Sequence, residues 1–182
     1  MLIETSRLII KPISIEDKNA VFEYRSDTKT NKYQGWIPKT IDDVITFINK
    51  TAKKNNLPET WFQLVIQEKE TQKIIGDIGI HFFGKENKQV EIGCTLHKKF
   101  QHKGYATESL KRVIEYLFNE LDKHRIITSI DPENISSIEL VKRIGFRKEA
   151  HFVESLYING KWVDDVIFAL LKKDYFNTNK PS

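Results

Sequence analysis

The sequence predicts one mixed α/β domain, with helices packed on a central sheet. Two observations carry this. Segments with an apolar period of two alternate with segments of helical period in the order β-α-α-β-β-β-α-β-α-β-β. The chain also has single-domain length, 182 residues, with no repeat or linker, and its 40% hydrophobic and 30% charged residues suit a buried core.

Residues 7–13 set Leu8 and Ile10 against Ile9 and Lys11 before Pro12, as an opening strand does. Ser14 is placed to cap a helix reaching about residue 25, with Glu16 and Asp17 in its first turn. Residues 28–39 contain Gln34, Gly35, Trp36 and Pro38 and read as a loop. Thr40 caps a second helix, on which Ile41, Val44, Ile45 and Ile48 keep helical spacing.

Strands follow at 61–67, 73–83 and 88–96, the last two joined as a hairpin by Gly84, Lys85, Glu86 and Asn87. The third strand puts Val90, Ile92, Cys94 and Leu96 on one face and Glu91, Gly93 and Thr95 on the other. A helix over 105–121 carries one stripe from Ala106 through Leu110, Val113, Ile114, Leu117 and Phe118 to Leu121. A strand at 125–130 leads through Asp131–Asn134 into a helix ending before Gly145. Residues 146–157 and 162–171 form a last hairpin about Asn159-Gly160. One domain thus spans 4–172, and 173–182 is a polar tail, frayed from Asn177.

Several function classes fall away. No run approaches a membrane span, the N-terminus lacks a secretory pattern, and the lone Cys94 fits a cytoplasmic setting. The net charge of +4 permits an acidic partner, but the lysines are scattered without an arginine-rich block. A solvated surface is the simpler reading, and nucleic acid is not expected. The five histidines show no ligand spacing, so no metal is expected, and P-loop, dinucleotide and nucleophile-elbow motifs are absent.

The informative segment is Gln101-His102-Lys103-Gly104-Tyr105-Ala106, between a strand and the long helix. A glycine turn opening a helix aims backbone N–H groups and the positive end of the dipole outward, which suits a pyrophosphate; a plain structural turn reads the same way. The Gln101-x-x-Gly104-x-Ala106 pattern resembles the acetyl-CoA loop of GNAT acetyltransferases. The run from Glu91 to Leu96 and on through Gly104 to Glu108 is similar to the branch containing ribosomal-protein N-terminal (alanine) acetyltransferases. So are Thr5-x-Arg7-Leu8-x-Ile10-x-Pro12, Asn134-x-x-Ser137 and Lys142-x-x-Gly145-Phe146.

The resemblance implies a GNAT-like, mostly antiparallel sheet of about seven strands flanked by about four helices. It also implies acetyl-CoA as co-substrate. Backbone N–H groups of Gln101, His102, Lys103, Gly104, Tyr105, Ala106 and Thr107 would cradle the pyrophosphate. The pantetheine arm would lie along Cys94, Thr95 and Leu96, with Asn134 near its acetyl end or acting only as a helix cap. Ser137 would hydrogen-bond the departing sulfur, or make a local backbone bond. The tyrosine common four residues before the Gly145-Phe146 pair is replaced here by Val141.

Glu91 is the candidate general base, or else a solvent-facing strand glutamate. Cys94 belongs to the apolar set, so direct transfer is expected rather than an acyl-enzyme. Tyr33 and Trp36 border the acceptor site by position, or else plug the core edge. The expected acceptor is an α-amine of a protein or peptide, or an amino-bearing small molecule, since such amines are partly neutral at cellular pH. A silent CoA-binding regulatory module is the alternative, and a homodimer is left open.

Overall fold

The expected alternation builds the sheet. In the computed structural model, which describes residues 1–84, 86–158 and 160–178, the strands are β1 (Ile3–Glu4), β2 (Leu8–Pro12), β3 (Thr60–Glu68), β4 (Ile74–Phe83), β5 (Gln89–Leu96), β6 (Arg125–Ile130), β7 (Arg147–Ile158) and β8 (Lys161–Leu171). The helices are α1 (Lys18–Arg25), α2 (Ile41–Lys50), α3 (Tyr105–Asn119), α4 (Ile135–Ile144) and α5 (Lys172–Thr178). The expected turn residues Lys85 and Asn159, and 179–182 of the expected tail, lie outside the described residues.

The strands form one sheet in the order β1-β2-β3-β4-β5-β6-β8-β7, antiparallel throughout except at β5–β6. This is the GNAT-like architecture the motifs implied, with eight strands and five helices among the described residues rather than seven and four. The additions carry no periodic signal. Two-residue β1 exists by pairing Ile3 with Ile10 and Glu4 with Ile9. Helix α5 replaces the first part of the expected polar tail, because Tyr175 and Phe176 dock on Phe118 with ring centroids 5.6 and 6.4 Å away. Two aromatics among lysines looked polar in sequence, yet they bury the helix.

Local chemistry sets the helix starts. Thr40 Oγ1 accepts from the Asp43 N–H at 3.2 Å, while Asp43 Oδ2 accepts from the Thr40 N–H at 2.9 Å, a reciprocal cap on α2. Ser14 gives its N–H to Asp17 Oδ2 at 2.9 Å and opens a short 3₁₀ turn that runs into α1.

The two faces of the sheet are covered unequally. Leu8, Ile10, Leu64, Ile66, Ile78, Ile80, Val90 and Ile92 pack with the apolar stripe of α3 and with Val141 and Ile144 of α4. On the other face a smaller cluster joins Val21 and Tyr24 of α1, Val44 and Ile48 of α2, and Val65 of β3. Glu91 and Asp165, on β5 and β8, line a cavity instead. Among the described residues no helix is long and apolar enough to cross a membrane.

One core position breaks the rule that buried charges are paired. Lys123 is 1% exposed. Its Nζ donates to Asn56 Oδ1 at 2.6 Å and to the Asn87 carbonyl, and lies 4.9 Å from the Phe82 ring centroid. Burial, with Lys88 adding, lowers its pKa to about 8. The unfolded chain therefore holds this proton up to a higher pH than the folded chain, and folding gains stability as pH rises from about 8 toward the ordinary lysine value of about 10.4. Melting curves of wild type and Lys123→Met across this range test the point. Wild type should gain on the variant by up to about 3 kcal/mol, the scale of a shift of roughly two pKa units or a little more; parallel curves would refute the assignment.

Candidate active site

Strands β5 and β6 are hydrogen-bonded for three residue pairs only, Gln89–Glu91 with Arg125–Ile127. Beyond them the strands part. β4 holds the outer edge of β5 as far as Leu96, and β8 holds β6 as far as Ile130. A wedge opens between, and a cavity of about 550 Å³ occupies it, reaching Glu91 and Gly93 on one side and Ser137 and Val141 on the other. A second cavity, about 720 Å³, runs from the wedge along the start of α3. The two share Tyr33, Gln34, Cys94, Thr95, Asn134, Ser137 and Leu140 in their walls.

The turn before α3 has the shape of an anion cradle. His102 sits at φ 60° and Gly104 at φ 82°, both left-handed, and Gly104 caps the helix. Backbone N–H groups of 102–107 donate to no acceptor among the described residues, whereas that of Gln101 reaches the Lys98 carbonyl at 3.3 Å. Gln101, His102, Gly104, Tyr105, Ala106 and Thr107 all line the second cavity. Lys103 does not; its carbonyl accepts from Arg7 Nη1 at 3.1 Å and its Nζ lies over the Phe100 ring. The Gln101 side chain donates to the Leu96 carbonyl at 3.1 Å, tying the turn to the end of β5.

Asn134 caps α4, its Oδ1 accepting from the Ser137 N–H at 3.2 Å. The Ser137 hydroxyl has no partner among the described residues and stands where the two cavities meet. Val141, 7% exposed, puts an apolar side chain at the position four residues before the Gly145-Phe146 pair, as the sequence indicated. Cys94 is half-buried against the main core, and burial, with the Asp77 charge adding, pushes its thiol up to about 12. It is protonated and a poor nucleophile near neutral pH.

Glu91 pairs in register with His81, which stacks on Trp61 with ring centroids 4.8 Å apart. Burial raises the Glu91 carboxyl above its ordinary value; His81 pulls it back and the Asp165 charge pushes it further up. Tyr33 lines both cavities and donates its hydroxyl to the Glu133 carbonyl at 3.0 Å, clamping the α1–α2 loop onto the β6–α4 loop. Trp36 lines the first cavity, stacked at 4.5 Å on Phe47 with the Arg25 guanidinium 5.4 Å from its ring.

Residues 7–147 match the family described as Acetyltransferase (GNAT) domain. The chain belongs to the GNAT acetyltransferases. Over 179 residues it is 35% identical to the uncharacterised N-acetyltransferase YnaD of Bacillus subtilis (strain 168), covering 96% of this chain and 99% of that protein. Over 84 residues it is 36% identical to the ribosomal protein uS5-alanine N-acetyltransferase of Escherichia coli (strain K12), 46% of this chain and 43% of that one. The fold matches, at TM-score 0.81 and 22% identity, a spermidine N-acetyltransferase from Vibrio cholerae solved in complex with CoA and spermine, covering 95% of this chain and 100% of that chain. This protein is an N-acetyltransferase, and its family draws the acetyl group from acetyl-CoA. Likeness to the ribosomal branch extends over about half the chain, whereas likeness to the wider family extends over nearly all of it.

Three features of this acetyltransferase escape a reading of the sequence. Arg7 and Thr5 clamp Glu108 on α3, through Arg7 Nε at 2.7 Å and Thr5 Oγ1 at 2.5 Å, which fixes the start of α3 against β2. Arg25 makes a two-pronged bond to Asp77, at 2.7 and 2.5 Å, joined by Tyr24 and Gln63. Asp131, Asp164 and Asp165 enter the wall of the first cavity. Only the last set left a trace, since two consecutive aspartates inside a strand run against strand preference.

Proposed function

We propose that this acetyltransferase moves acetyl directly from acetyl-CoA to a primary amine, with Glu91 as base and Ser137 as hydrogen-bond donor to the departing sulfur. The amine is an α-amino group of a protein or peptide, or that of a small molecule. The observation that carries this reading is the wedge, which joins an anion cradle to a carboxylate-lined cavity with Ser137 at the junction.

The residues fit the donor. The open turn around Gly104 offers unpaired N–H groups to a pyrophosphate, and the free edge of β5 offers backbone groups to an extended amide chain. Bound acetyl-CoA supplies an acetyl group already activated as a thioester. Glu91 accepts one proton from the acceptor ammonium and frees the lone pair that forms the new C–N bond. A β5 backbone N–H stabilises charge on the carbonyl oxygen as that bond forms. Ser137 Oγ hydrogen-bonds the sulfur as the C–S bond breaks, and the second proton lost by nitrogen ends on sulfur. An ammonium and a thioester thus give an acetamide, a thiol and one released proton. A thiol pKa of about 8.5 makes one good hydrogen bond sufficient help, which suits the apolar Val141.

Gly104→Val should weaken CoA binding at least roughly tenfold, because a branched side chain is strained at positive φ and fills the cradle. His102→Ala should change it by less than about threefold, since only the backbone is used. Calorimetric titration of both folded variants decides; equal losses would sink the cradle.

Ser137→Ala should lower kcat and kcat/KM together by about 5- to 150-fold, corresponding to about 1–3 kcal/mol for a hydrogen bond to a charged group, with little change in KM for acetyl-CoA. Glu91→Gln should erase the acidic limb of the kcat/KM profile, because the raised Glu91 carboxyl must be ionised to act. An unchanged kcat or an unchanged pH profile removes the respective role.

Cys94→Ser should keep most of the activity. Intact mass of wild type with acetyl-CoA alone should show no added acetyl group, and a stoichiometric gain that the serine variant lacks would instead establish a ping-pong route.

A further inference from the structure

The Thr5-x-Arg7 motif lines neither cavity, yet Arg7 reaches the back of the turn before α3. Arg7 Nη1 donates to the Lys103 carbonyl at 3.1 Å and Nε to Glu108 Oε2 at 2.7 Å, and the guanidinium lies 4.4 Å from the Tyr105 ring centroid. Glu108 Oε1 accepts in turn from Thr5 Oγ1 at 2.5 Å and from the Arg7 N–H at 3.2 Å. Burial raises the Glu108 carboxyl, but the Thr5 and Arg7 bonds outweigh it and hold its pKa below the ordinary value. The carboxylate is therefore charged at neutral pH, and the guanidinium fork is fixed against it.

Lys103 and Gly104 share one peptide group. It is trans and planar, so the Lys103 carbonyl and the Gly104 N–H point in opposite directions. The carbonyl is bound on the Arg7 side, which turns the N–H away from Arg7. Gly104 lines the second cavity, and its N–H meets no acceptor among the described residues. The turn alone does not hold this plane. Gly104, at φ 82° and without a Cβ, sets no steric bar to its rotation. Turned over, the plane would present a carbonyl oxygen, rather than an N–H, to an anion. The charge-assisted bond from Arg7 removes that freedom.

We propose that Arg7 is a positioning residue for the co-substrate, aiming the Gly104 N–H at the pyrophosphate of acetyl-CoA by holding the Lys103 carbonyl. This rests on the cradle reading above and adds to it the group that keeps the cradle in its binding orientation.

The test joins calorimetric titration of CoA to heteronuclear NMR of the glycine amides. In wild type the Gly104 amide signal should shift as CoA saturates the protein. Arg7→Met, or Arg7→Leu should the first not fold, should weaken CoA at least roughly tenfold and abolish most of that shift. Glu108→Gln cuts the same clamp but leaves the guanidinium between the Lys103 carbonyl and the Tyr105 ring, and should cost less than about threefold. Arg7→Met combined with Glu108→Gln removes both charges together and should keep the full loss, because the carbonyl is still unheld. An Arg7 variant that binds CoA as wild type does, or keeps the Gly104 shift, would overturn the inference while leaving the cradle intact. So would a Glu108→Gln loss equal to that of Arg7→Met, which marks a clamp that only steadies the fold, or recovery in the double variant, which marks a plain charge effect. A wild-type Gly104 amide that stays still while CoA binds would overturn the cradle itself, and this inference with it.

Discussion

The parting of β5 from β6 is the constraint on which the site depends. Backbone N–H and C=O groups away from water cost about 1–3 kcal/mol each when unpaired, so sheets seldom open in the interior. Here the two strands bond over Gln89–Glu91 and Arg125–Ile127 and then diverge, although β4 and β8 keep pairing with their outer edges. Those outer partners prevent the wedge from closing, because neither strand can swing inward without breaking a longer ladder. Apolar Val141 and Phe146 fill the α4 side and line the gap without bridging it. An exposed strand edge inside the domain is thereby ready for an amide-bearing chain to complete.

A second arrangement decides the charge of that opening. Asp77 lies beneath it at 1% exposure and would be another buried carboxylate, but Arg25 meets it with two bonds and Tyr24 and Gln63 add one each. Buried ion pairs of this kind give little net stability compared with apolar residues of the same volume. What this one does is positional. It fixes the end of α1, and Arg25 in turn lies against Trp36 and Phe47, so the loop that walls the cavity is held from below. Losing either partner would leave a lone buried charge next to β5.

Much of this was legible in the sequence, and the limits follow from range. Helix starts at Ser14, Thr40 and Asn134, and the stripe of α3, depend on neighbours within four residues, so pattern suffices. β1 is too short for a period to register, and α5 is read as polar because its two aromatics sit among lysines and a carboxylate. In the site, the turn at Gly104 and the cap at Asn134 are local and were visible. The Arg7–Glu108 clamp joins residues 101 apart, and Asp165 reaches the cavity only because β8, rather than β7, lies next to β6. No local signal encodes the clamp, and the Asp164-Asp165 pair marks β8 as unusual without showing which strand it lies beside.

The charges around Glu91 pull its chemistry in two directions. Burial and the neighbouring Asp165 raise its proton affinity, which makes it a stronger base than an exposed glutamate but leaves less of it ionised at mildly acid pH. An entering ammonium reverses the second effect, since a positive charge nearby favours the carboxylate. The same cation has its own proton held more firmly by the surrounding acids, so proton transfer within the pair becomes harder as binding becomes tighter.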